Sequence, residues 1–159
     1  MKKLVVIVGM ALICMATAAM AEDFKYSDEV LDKIGELKVL ADAKKEMPTA
    51  FAGIKMVDVA EAYNLWKGKK VIFLDTRPKA QFDTETIPGA IFLDADKLLD
   101  DPTLANSLDK GKEYITFCSG VICRRAPGGA LQLQSMGIKN VRYFRGGMPD
   151  WKAKGYPVK

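Results

Sequence analysis

The sequence predicts a parallel α/β fold, and three observations predict it. Val71–Leu74, Ile91–Leu93 and Tyr114–Phe117 are unbroken apolar runs, as strands covered on both faces require. Stretches with apolar residues at helical spacing separate them, and strands alternating with helices build parallel sheets. The chain has 159 residues, 49% hydrophobic and 28% charged, which is the size and composition of one folded domain. It contains no histidine. That absence excludes a Ser-His-Asp or Cys-His nucleophile, a His-ligated zinc and a haem with a proximal His. Acid–base or nucleophilic work must come from Cys, Asp, Glu, Lys, Tyr or the backbone.

Taken in order, residues 1–21 read as a cleaved secretory signal peptide. Lys2 and Lys3 precede an uncharged run from Leu4 to Ala18, and Ala19-Met20-Ala21 is a small-x-small cleavage site. The run is short for a membrane span. The bulky Ile13 before Cys14 argues against lipid attachment. The expected location is therefore outside the cytoplasm, in a secreted, periplasmic protein. Two of the positive charges leave with the peptide, and the whole-chain charge of +4 is already too small to argue for nucleic acid. Cys118 and Cys123 then remain as the cysteines, too close in sequence to form a disulfide scaffold.

Residues 22–52 are expected to form a helical extension. Val30, Leu31, Ile34, Leu37, Leu40 and Ala41 recur at helical spacing, Ser27 is a suitable N-cap, and Pro48 ends the pattern. The main domain spans 53–159. Lys55–Val57 is a strand, and Asp58-Val59-Ala60-Glu61 opens a helix through Trp66 that Gly68 stops. The three apolar runs follow as strands, with one or two helices over Ala95–Leu108. Pro127–Met136 is helical with Gly137 as its cap. Val141–Phe144 is the last strand, and Gly147–Lys154 the last helix.

The segment Phe117-Cys118-Ser119-Gly120-Val121-Ile122-Cys123-Arg124-Arg125-Ala126-Pro127 carries the chemistry. A buried strand delivers Cys118 to the carboxyl edge of the sheet, where ligands of such folds sit. Loop and helix-start N–H groups, with Arg124 and Arg125, favour thiolate over thiol, so the expected direction of the Cys118 pKa is downward. The same nest of N–H groups suits an oxyanion such as thiosulfate, phosphate or arsenate. Gly120 gives the loop its freedom, and Gly128 and Gly129 suggest close backbone packing.

Four features in order resemble a rhodanese-type (sulfurtransferase) domain, from about Gly53 to Lys159. Val71–Arg77 resembles the family's strand ending in an Asp-x-Arg turn. Ile87-Pro88-Gly89-Ala90-Ile91 resembles its turn into the next strand, and Cys118 stands where its persulfide-forming cysteine stands. Gly146-Gly147-Met148-Pro149-Asp150-Trp151 resembles its closing signature. The resemblance implies a five-stranded parallel sheet flanked by helices. It implies a double displacement in which Cys118 takes a sulfane sulfur from an anionic donor, of thiosulfate or polysulfide type, and passes it to a thiol or other thiophilic acceptor. Backbone N–H groups of Ser119, Gly120, Val121, Ile122, Cys123 and Arg124 are expected to hold the persulfide, with Arg124 or Arg125 binding donor charge. No cofactor or metal is implied, and no nucleic-acid or membrane partner beyond the signal peptide.

The chain departs from the family pattern in two places. Thr86 replaces a histidine that many members have, and the loop, with five residues between Cys118 and Arg124, is longer than the common form. That spacing resembles dual-specificity phosphatases and arsenate reductases, although Phe117 replaces their histidine. A Cys-x-Gly-x-x-Cys loop also resembles secreted relatives, with Ala126 where those have Ser. Cys123 is open to three readings: a packing residue, a disulfide partner, or a resolving thiol that releases sulfide with help from a redox protein. Asp75 and Arg77 are expected to form a fixed ion pair bracing the loops. Arg142 and Arg145 could widen a positive rim, and Trp151 is expected in the core. The expected function is sulfur transfer. The alternatives are an oxyanion-processing enzyme or a non-catalytic binding module.

Overall fold

The computed structural model describes residues 24–159, so the expected signal peptide lies outside the described residues. Ser27 caps helix α1 (Asp28–Asp42) by accepting from the Val30 N–H, as its residue type suggests. Asp58 does the same for α2 (Val59–Gly68), accepting from Glu61 N–H at 2.8 Å. Five strands follow the apolar runs: β1 (Lys55–Val57), β2 (Ile72–Asp75), β3 (Ile91–Phe92), β4 (Tyr114–Phe117) and β5 (Val141–Phe144). All pair in parallel in the order β1-β5-β4-β2-β3. The remaining helices are α3 (Lys79–Thr84), α4 (Ala95–Asp100), α5 (Arg125–Ser135) and α6 (Gly147–Ala153), with a 3-10 turn over Pro102–Ala105.

The sheet separates two apolar layers. On one side α1, α4 and α5 bury Leu37, Leu98, Ala126, Leu131 and Leu133 together with Tyr114, Cys118 and Tyr143. On the other side α2 and α6 bury Phe73, Ile115, Phe117 and Phe144 around Trp151. Trp151 is in the core as expected, and its indole donates to Pro157 O at 2.7 Å. Each fully buried side chain of this size contributes roughly 1.5–3 kcal/mol. The register aligns Asp75, Phe117 and Phe144, so the carboxyl ends of β2, β4 and β5 form one edge. The central strand, β4, points at the candidate site.

Several details differ from expectation. Helix α3 was not foreseen, because its six residues Lys79–Thr84 are too short and polar to show a helical period. Helix α2 continues through Gly68, and Lys69 takes the left-handed turn, with φ 52°. Helix α5 begins at Arg125, so Pro127 falls inside its first turn, where its missing N–H costs nothing. Gly129 does pack closely: a Cβ there would lie 3.0 Å from Thr76 Cγ2. Gly128 does not, having open space around it.

Candidate active site

Cys118 follows β4 directly and is wholly buried. Its strand end is held from both sides. The Thr76 N–H and hydroxyl donate to Phe117 O at 3.0 and 2.8 Å. The Met148 N–H at the start of α6 donates to Cys118 O at 2.9 Å. Gly147 makes that approach possible. Its φ is +56°, and a Cβ there would sit 2.1 Å from Cys118 O. Only glycine accommodates that contact, which explains the second glycine of the Gly146-Gly147 pair.

The loop then turns back on itself. Gly120 adopts φ +106°, and Cys123 N–H donates to Gly120 O at 2.9 Å. This turn returns Cys123 to Cys118, whose thiol donates to Cys123 O at 3.3 Å. The two cysteines are free thiols, with Cys118 buried and Cys123 half-buried. Val121 O accepts from Met47 N–H at 2.7 Å, so the N-terminal extension braces the loop. The Ser119 hydroxyl donates to Gln81 Oε1 at 2.9 Å, and the Ile122 side chain is exposed.

The electrostatics reverse the expectation for Cys118. Burial pushes its thiol well above the usual range, more than the Ala126 and Ser119 N–H groups lower it. Cys123 is instead lowered to about 6, first because the Cys118 thiol donates to it, then by the Ser119 and Arg125 N–H groups and the Arg125 charge. The physical reason is position: Cys118 is wholly buried, whereas the Arg125 N–H and charge fall beside Cys123 at the far end of the loop. The N–H groups that reach the two sulfurs are those of Ser119, Arg125 and Ala126. The Cys123 N–H, expected in the nest, is spent on the turn.

Arg124 and Arg125 were expected to meet donor charge, and both are tied to one carboxylate. Asp96 accepts from Arg124 at 2.8 Å and from Arg125 at 2.7 Å. Asp75 and Arg77 form the expected buried pair, with two parallel bonds at 2.9 and 2.7 Å. Arg77 also donates to Glu85 O at 2.6 Å, and Thr86 donates to Asp75 at 2.7 Å. Thr86 therefore completes a fixed network under the loops. Arg142 pairs with Glu61 and Glu113, and Arg145 reaches Glu46 and Met47 O, so neither widens a positive rim.

A cavity of about 640 Å³ opens beside Ser119, walled by Ala80 and Gln81 of α3, Met148 and Lys152 of α6, and Arg77. Nothing in the residue pattern pointed to Gln81, Asp96 or Met47 at the site. Asp96 lies 29 residues from Arg125, and no local pattern joins them.

Fold and site together define a class: a parallel α/β protein with a cysteine loop at the carboxyl end of its central strand. The Rhodanese-like domain model matches residues 58–154, and the chain belongs to that family. It is 35% identical over 85 residues to "tRNA uridine(34) hydroxylase" of Burkholderia ambifaria, covering 51% of this chain and 29% of that protein. It is 30% identical over 92 residues to "Adenylyltransferase and sulfurtransferase UBA4" of Meyerozyma guilliermondii, covering 56% of this chain and 22% of that protein. The chain thus spans less than a third of the curated relatives it matches. The crystal structure of the BH2092 protein from Bacillus halodurans is similar with a TM-score of 0.59 and 27% identity, over 65% of this chain and 75% of that one.

Proposed function

We propose that the protein is a secreted, periplasmic sulfurtransferase in which Cys118 carries sulfur as a persulfide. The observation that carries this reading is the seating of Cys118: a buried sulfur at the end of the central strand, with the Ser119 and Ala126 N–H groups directed at it. A persulfide anion formed there would gain those donors. Cys118, as thiolate, attacks the outer sulfur of a donor such as thiosulfate. The sulfur–sulfur bond of the donor breaks, and sulfite leaves with the bonding pair. A thiol acceptor then removes the sulfur. The naming of one relative as a sulfurtransferase supports the reading.

Phosphate or arsenate chemistry fits less well. It needs Arg124 turned into the loop, whereas Asp96 holds it at 2.8 Å. The test is the intact mass of reduced protein before and after thiosulfate, with sulfite measured alongside. Wild type should release sulfite, and Cys118→Ser should release none and gain no sulfur. Full activity in Cys118→Ser would end this reading.

A further inference from the structure

Cys118 and Cys123 are held as a pair by the loop, and the pair has an asymmetry that the sulfurtransferase reading leaves unused. Cys118 is wholly buried, whereas Cys123 is only half-buried. An external acceptor thiol must reach a persulfide on the buried cysteine, past a cysteine already beside it. The Gly120 turn fixes that neighbour: Cys123 N–H donates to Gly120 O at 2.9 Å, and the Cys118 thiol donates to Cys123 O at 3.3 Å. A group held this close competes as if at very high concentration against any acceptor in solution.

Resting on the persulfide reading above, we propose that the protein reduces sulfane sulfur to sulfide with its own dithiol, Cys123 attacking the Cys118 persulfide. The protonation states suit the sequence of steps. In the resting pair Cys118 holds the proton and Cys123 the charge. When Cys118 attacks the donor, its proton passes to Cys123, so the chain supplies the base that its lack of histidine denies it. The products are the Cys118 persulfide anion, the Cys123 thiol and sulfite. Cys123 sulfur then bonds to Cys118 sulfur, the bond from Cys118 to the outer sulfur breaks, and hydrosulfide leaves with the bonding pair and the Cys123 proton. The sulfane sulfur gains two electrons, and the two thiols lose them in forming a disulfide. A dithiol reductant reopens that disulfide by exchange and is itself oxidised. Arg125, held by Asp96, is a fixed positive charge acting on Cys123 at this step.

The experiment is a single turnover. Reduced full-length protein, freed of reductant, is mixed with thiosulfate, and sulfite, sulfide and intact mass are followed to completion. Wild type is expected to release sulfite and sulfide in equal amounts and to end two hydrogens lighter, with dithiothreitol restoring its original mass and a second round. Cys123→Ser, deprived of that base, is expected to release sulfite more slowly, to retain one added sulfur at completion and to release no sulfide. A wild type that keeps the added sulfur without releasing sulfide overturns this proposal and leaves the persulfide reading standing. Sulfide release by Cys123→Ser equal to wild type overturns it as well. Absence of both sulfite and added sulfur in wild type overturns both readings.

Discussion

Cys123 is the residue whose charge state is set most clearly by its neighbours. The thiolate is the form that alkylates, and a lowered pKa moves its loss to lower pH. An ordinary thiol loses reactivity below about pH 8.5, whereas Cys123, lowered to about 6, keeps it down to that pH. The alkylation rate of the reduced protein by iodoacetamide should therefore fall with a midpoint near 6, and peptide mapping should place the label on Cys123. A midpoint above 8, or a label on Cys118, would contradict the assignment. The linked effect on stability has a definite sign. The Cys123 contribution is full above the unfolded value near 9.0 and is lost as pH falls toward 6. Cys118, raised by burial, opposes it, contributing most below that value and losing it as pH rises. The buried Asp75–Arg77 pair gives a second prediction at this scale. Arg77→Met would leave Asp75 buried without its cation and should cost about 3–5 kcal/mol, read as a lower denaturant midpoint. A change within a few tenths of a kcal/mol would show that Thr86 and the residue 77 N–H satisfy the carboxylate between them.

Elements depend on where the chain must turn left-handed. Gly147→Ala places a methyl against the Cys118 carbonyl in a left-handed conformation, and strain and crowding together should cost about 2–4 kcal/mol. Sulfur uptake should fall with it, because the same contact fixes the end of β4. Lys69 is the opposite case: exposed, at φ 52°, with nothing holding a side chain there. Lys69→Gly should stabilise the fold by about 1 kcal/mol, measurable as a higher unfolding temperature. Unchanged stability would mean that glycine's extra freedom in the unfolded chain cancels the relief. These positions also show what a sequence can and cannot disclose. Strand β4 was legible at its observed bounds because all four of its residues are buried, whereas β1, with exposed Lys55, and β5, with half-buried Arg142, were legible from the turn and helix signals that bound them. Helix α3 was not, because its order comes from the turn after β2 and from Phe82 packing on Phe92. The loop that joins β4 to α5 and sets its two cysteines side by side was legible, but the partition of charge between its two sulfurs was not. That partition depends on which sulfur is buried, and burial is a property of the assembled sheet.

At the scale of the whole molecule, the family match begins at residue 58, yet the core begins earlier. Leu37 and Met47 are wholly buried in the same apolar layer as Cys118, and Tyr26 donates to Leu98 O at 2.9 Å. Arg145 and Val121 clasp residues 46 and 47 from the domain side, so the extension touches both the core and the reactive loop. A chain cut to residues 53–159 removes three buried core side chains, Ile34, Leu37 and Met47, and should lose about 4–9 kcal/mol relative to residues 22–159. Val121 O also loses its donor, and the loop gains freedom two residues before Cys123. The trimmed chain should therefore unfold at lower denaturant and alkylate faster at Cys123 under conditions where both chains remain folded. Matching midpoints would reduce the extension to a surface attachment. A lower midpoint with unchanged alkylation would show that it holds the core without governing the loop.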